Sequence, residues 1–161
     1  MQYLIREHSN PLTREIVIED RHGTSVYRAH GPVVRMRDEL HVDNASGREE
    51  YLIKEPVLGD RSRFELYRDG KRYAVISRVG VGNLLEGFDL EVTGAGQIHA
   101  RGDMLGREFA LMGNGGSVGQ VRRHNEHSIE LETAAGQDDA LLVAGVLTMV
   151  AMTDAWARSR T

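Results

Sequence analysis

The stretch from Ala140 to Met152 limits what this chain can fold into more than any other. It reads ALLVAGVLTMVAM, and across the twelve residues from Leu141 to Met152 no side chain is charged and only Thr148 is polar. A helix built from it has no polar side, so it has to be surrounded by protein rather than laid on a surface. The run spans roughly 18 Å at about 1.5 Å per residue, against roughly 30 Å for the apolar thickness of a bilayer. The sequence therefore predicts a buried core helix over about 138–156, not a transmembrane span. Gln137-Asp138-Asp139 precedes it. Asp138 and Asp139 are placed to cap the helix and to sit favourably on its positive N-terminal dipole.

What surrounds that helix is written in the glycines. Gly23, Gly47, Gly70, Gly94, Gly115 and Gly136 each sit in turn chemistry, at spacings by subtraction of 24, 23, 24, 21 and 21 residues. That period is the length of one β-hairpin, so the chain reads as six hairpins. The clearest is Phe64 to Ser77, FELYRDGKRYAVIS. Asp69-Gly70 signals a two-residue type I′ turn, in which both central residues need positive φ. This turn predicts Arg68 opposite Lys71, Leu66 opposite Tyr73, Phe64 opposite Val75, and Tyr67 with Arg72 on the other face. Val33 to Met36 reads as a further strand, and Ser128 to Glu132 as the alternating strand before the helix.

Antiparallel hairpins leave an apolar face to cover and free edges to pair. A helix apolar all round needs wall on every side. Both demands are met by a mainly β fold: a closed antiparallel barrel of about twelve strands threaded by the buried C-terminal helix. Ala144, Gly145, Thr148 and Ala151 are expected to keep the helix thin where the wall comes close. No linker or composition break divides the 161 residues, so residues 1–161 read as a single domain.

The order of motifs resembles the LURP-one-related family, of the wider tubby C-terminal-like group that also includes phospholipid scramblases. The features that carry the resemblance are the opening YLIRE, the RDG hairpin, and the GQDDALLVAGVL terminus, and it covers roughly residues 1–154. It implies a twelve-stranded barrel around a hydrophobic central helix. Relatives of the tubby type bind phosphoinositide head groups through basic residues, scramblase-type relatives act at membranes, and plant relatives are linked to defence. No active site carries over residue by residue. Two departures stand out: the polar run Arg122-Arg123-His124-Asn125-Glu126-His127, read as loop entering strand, and the tail after Asp154.

Chemistry has few footholds. A net charge of −4 gives no basic field for nucleic acid. The absence of Cys removes thiol nucleophiles and thiolate metal sites. The opening MQYLIREHSNP is too charged for a secretory signal, so a cytoplasmic protein is expected. Gly115-Gly116-Ser117-Val118-Gly119 matches GxSxG, but a nucleophile elbow needs a helix after it and Gln120-Val121-Arg122 reads as strand. Neither does the Gly113 cluster complete a phosphate-binding GxGxxG, since its sixth position is Val118.

His124, Glu126 and His127 would make an incomplete zinc site, which wants three or four convergent ligands. The other five histidines, His8, His22, His30, His41 and His99, are scattered and are expected mostly in turns or at strand ends, and no cofactor is called for. Trp156 is expected to cap the barrel mouth. Arg35 and Arg37, Arg61 and Arg63, and Arg122 and Arg123 are candidate contacts for an anionic ligand, because guanidinium forks suit phosphate. The sequence thus predicts a non-enzymatic binding or scaffold module, with anionic phospholipid or a protein as the partner. The alternatives are a peripheral protein that holds anionic phospholipid through those Arg residues, and an esterase using Ser117.

Overall fold

The computed structural model describes residues 1–8, 13–32, 39–55, 63–81, 84–103 and 108–159. Twelve strands precede one helix: β1 (Gln2–Glu7), β2 (Thr13–Asp20), β3 (Ser25–Pro32), β4 (Glu39–Asn44), β5 (Glu49–Lys54), β6 (Arg63–Arg68), β7 (Lys71–Val79), β8 (Gly87–Val92), β9 (Gly96–Asp103), β10 (Glu108–Gly113), β11 (Gly116–Asn125), β12 (Ser128–Thr133) and α1 (Asp139–Ser159). Each strand pairs antiparallel with the next in sequence, and β1 pairs with β12 to close the barrel. The expected Val33–Met36 strand lies outside the described residues.

The wall forms because its strands alternate. In β8, Phe88, Leu90 and Val92 point inward while Asp89 and Glu91 point out. Ile18, Ala29, Val42, Tyr51, Leu66, Ile76 and Leu131 are fully or almost fully enclosed in the same inner layer. The helix fills the space they surround. Ala140 through Met149 are buried on all sides, as a run without a polar face demands. Its two buried hydroxyls are satisfied inside the helix: Thr148 Oγ1 donates to the Ala144 carbonyl and Thr153 Oγ1 to that of Met149, both at 2.8 Å.

The helix runs 21 residues, longer than the apolar core alone. The stretch Asp139–Ala157 is therefore long and apolar enough to cross a membrane, and length no longer argues against it. Burial does: 67% of the apolar window lies inside the barrel. At Gly145 an added Cβ would meet Leu90 Cδ2 at 3.5 Å, ordinary contact, so the wall does not demand glycine there.

In an up-and-down barrel, alternate connections fall at opposite ends. The turns at Gly23, Gly47, Gly70, Gly94 and Asn114-Gly115 join β2–β3, β4–β5, β6–β7, β8–β9 and β10–β11 at one rim. Gly136, with φ 80°, sits at the same rim and turns β12, the expected last strand, into α1, so five of the six glycine turns close hairpins and the sixth does not. The hairpin that completes the barrel instead turns at Glu126-His127, so Arg122 to Asn125 belong to β11 and are not a loop.

The Asp69-Gly70 turn has φ of 51° and 77°, as a type I′ turn requires. Arg68 pairs with Lys71 and Tyr67 with Arg72 as expected. A register shift between Leu66 and Tyr67 then sets Leu66 opposite Ala74 and Phe64 opposite Ile76, not Tyr73 and Val75. Nothing lies within 4 Å of a Cβ placed at Gly70, so a substitution there meets only backbone strain. Gly70→Val should lower stability by more than about 1 kcal/mol in chemical denaturation, because a β-branched residue holds positive φ poorly.

Candidate functional site

The two ends of the barrel differ. At the glycine rim, Tyr3, Tyr27, Tyr51 and Tyr73 stand on β1, β3, β5 and β7, at spacings by subtraction of 24, 24 and 22 residues. They form an arc: Tyr3 and Tyr27 rings lie 6.1 Å apart and Tyr51 and Tyr73 5.6 Å apart, both tilted. The arc closes on the start of α1. Tyr3 donates its hydroxyl proton to Asp139, and Tyr51 donates to Asp138 Oδ2 at 3.2 Å. Asp138 also caps the helix, its Oδ1 accepting from the Leu141 amide at 3.2 Å.

Arg68 covers this cluster. Its guanidinium lies 5.6 Å from the Tyr51 ring centre and 5.8 Å from that of Tyr73, and it reaches Glu50 at 3.8 Å and Asp138 at 4.0 Å. Burial pushes the Tyr3 and Tyr51 hydroxyls well above the ordinary phenol range, and the neighbouring Asp139 and Asp138 carboxylates push the same way. The phenols stay protonated and act as donors. This end is a seal over the helix N-terminus, held by hydrogen bonds and stacked cation. The 24-residue tyrosine period is as regular as that of the glycines and was the signal for it in the sequence.

The opposite rim is where the helix leaves. Arg123, on β11, points inward, and its Nη1 and Nη2 donate to Asp154 of α1 at 2.7 and 2.9 Å. Its Nε is buried without a hydrogen-bond partner. Beside this fork a cleft of ≈ 30 Å³ opens between α1 and strands β1, β2 and β12. Ile5, Ile16, Ile129, Leu147, Val150 and Ala151 floor it, and Glu7, Arg14, Glu126, His127 and Asp154 edge it. Arg14 and Glu7 pair across the edge at 3.2 Å. On the same rim, Val81 and Leu84, between β7 and β8, are 80% and 62% exposed. Trp156 is partly buried just past Asp154.

The six candidate Arg residues do not gather into one patch among the described residues. Arg35, Arg37 and Arg61 lie outside those residues. Arg63 opens β6 at the helix-exit rim and is exposed. Arg122 points outward and pairs with Glu108 at 3.2 Å, while strand alternation sends Arg123 inward to Asp154. Ser117 is exposed near the start of β11, opposite Met112, with strand on its C-terminal side. His124 shares a hydrogen bond with Glu130 at 2.9 Å, and His127 lies in the hairpin turn. Several His lie within strands and not in turns: His99 bonds Asp89 at 2.7 Å, and His30 and His41 occupy the outer face of β3 and β4. No group of three or more His, Asp or Glu among the described residues converges on a metal ion.

A family model described as LURP-one-related matches residues 1–150. No curated protein matches the chain. Among solved structures, a protein from Arabidopsis thaliana is similar at a TM-score of 0.67 and 14% identity, covering 95% of this chain and 91% of its own. At that identity the likeness speaks for the fold alone.

Proposed function

This chain belongs to the LURP-one-related family, and we propose that it works as a non-enzymatic, cytoplasmic binding module that presents its helix-exit rim to a protein partner. The asymmetry of the two ends carries the proposal. One rim is drawn shut by short glycine turns and by the tyrosine arc on the helix cap. The other bears the cleft and the exposed Val81 and Leu84. Loops set on a rigid scaffold are where contacts are made. The inner face is spent on holding the helix, which favours recognition at the rim over chemistry inside.

Purified protein offered p-nitrophenyl acetate should give the same background hydrolysis before and after Ser117→Ala. Hydrolysis that disappears with this change would overturn the non-enzymatic reading.

A second reading is a peripheral contact with anionic phospholipid. It is favoured by the exposed apolar Val81 and Leu84 on the rim where Arg63 begins β6. Sedimentation with phosphatidylserine-containing vesicles should then fall steeply as salt rises, since exposed Arg–phosphate attraction is screened over about 10 Å at 0.1 M. It should fall again with Arg63→Gln. Equal binding to neutral vesicles, unaffected by salt, would refute head-group recognition.

A further inference from the structure

Outside both rims, on the outer face of the wall, His30 and His41 stand directly opposite each other on β3 and β4. Their rings stack with centres 5.3 Å apart and planes 13° apart. Each imidazole already has one nitrogen committed to a carboxylate: His30 Nε2 to Asp43 at 2.8 Å, and His41 Nδ1 to Glu49. The side chains are 48% and 35% exposed, so both rings reach solvent, and His30 Nδ1 and His41 Nε2 are the nitrogens that Asp43 and Glu49 do not hold.

We propose that His30 and His41 form a two-imidazole surface site for a divalent transition ion of the Cu²⁺, Ni²⁺ or Zn²⁺ class. Three observations converge on it. Directly opposed residues on antiparallel strands are close enough to act on one ligand. To share one ion, both rings must turn out of the stack until the two nitrogens stand roughly 3 Å apart, the separation that metal–nitrogen bonds of about 2.0–2.1 Å need.

The second observation is the pair of carboxylates. Metal-binding imidazoles characteristically give their other nitrogen to such a group, which fixes the ring and raises its basicity. His30 and His41 each have one. The third is charge. Glu15 stands opposite His30 on β2, Asp43 and Glu49 bond the rings, and Arg28, paired with Glu15 at 3.4 Å, is the one cation in this set. Three acids against one Arg leave an excess of two negative charges around the two rings, which suits a divalent cation. With two protein ligands, water fills the other positions, so the ion is exchangeable. Imidazole ligation and the Irving–Williams order rank Cu²⁺ tightest.

The test is a Cu²⁺ titration of the full chain at pH 7.5, followed by NMR of the histidine rings. Signals of His30 and His41 should broaden first and together. His99 and His124, each bonded to a carboxylate but without an opposed His, serve as internal controls. In Ni²⁺ calorimetry, His30→Gln and His41→Gln should each weaken binding by about tenfold or more, and Asp43→Asn should weaken it within the ~10–100-fold range typical of outer-shell partners. All three changes lie on the exposed outer face, and circular dichroism checks that the barrel persists. Broadening spread evenly over all seven His, or Ni²⁺ affinity unchanged in His41→Gln, overturns the site.

Discussion

A chain ended after Gly136 should show no cooperative unfolding transition in urea. The cut removes α1, and with it Leu141, Leu142, Val143, Val146, Leu147, Met149 and Met152, all at most 6% exposed. Seven such side chains gain roughly 10–21 kcal/mol from burial at about 1.5–3 kcal/mol each. This is an upper bound, because the unfolded chain is already partly compact. Half of it still rivals a whole domain's net stability of about 5–15 kcal/mol. The empty wall would also face water with Ile18, Leu66, Ile76 and Leu131. Val146→Asp should do comparable harm in the full chain, since Val146 is fully enclosed and a carboxylate there finds no partner. If instead the cut releases a soluble β domain that melts near the full-length midpoint, the helix is not the core.

Asp154→Ala should cost about 2–4 kcal/mol, somewhat below the range for a fully buried pair because the Asp154 side chain is 36% exposed. The loss comes less from the missing attraction than from what stays behind. Arg123, 15% exposed and with Nε already unpartnered, would keep its charge at the helix exit with no carboxylate to meet it. The double change Arg123→Met with Asp154→Leu should recover most of the stability, because it removes both charges together. Thermal melts of the two variants decide the matter: an Asp154→Ala protein as stable as the parent would mean water satisfies Arg123 unaided.

The helix and eleven of the twelve strands were legible because their causes are local, whereas β1, Gln2–Glu7, was not read as a strand. An all-apolar run has to be enclosed wherever it occurs, and Asp69-Gly70 dictates its own turn. Gly136 shows where local reading ends, since a left-handed glycine closes a strand whatever element follows. Likewise, the alternation around Tyr67 does not reveal the register shift that moves Ala74 opposite Leu66. The Arg pair was legible only as composition. Arg122 and Arg123 are neighbours in the sequence, yet one meets Glu108 outside and the other meets Asp154, 31 positions away, inside. The tyrosine arc lay open in its spacing, but its meaning depends on Asp138 and Asp139 being delivered to the same rim by the threaded helix.

The barrel's closure has a consequence for how the chain reaches this state. Eleven of its twelve strand pairings join neighbours in the sequence, whereas the twelfth sets Tyr3 opposite Leu131, 128 positions away by subtraction. The Met1 ammonium and the Thr133 carbonyl meet at the same seam, at 3.0 Å. Local hairpins form fast and so remote a pairing forms slowly. During synthesis, β1 to β11 are made before β12 and α1 exist to complete them. The growing chain is then a curled sheet with an apolar hollow and two bare edges, the condition under which strands join those of other molecules. The vulnerable moment of this protein is thus its assembly, and the residues that govern its yield are those that zip β1 to β12.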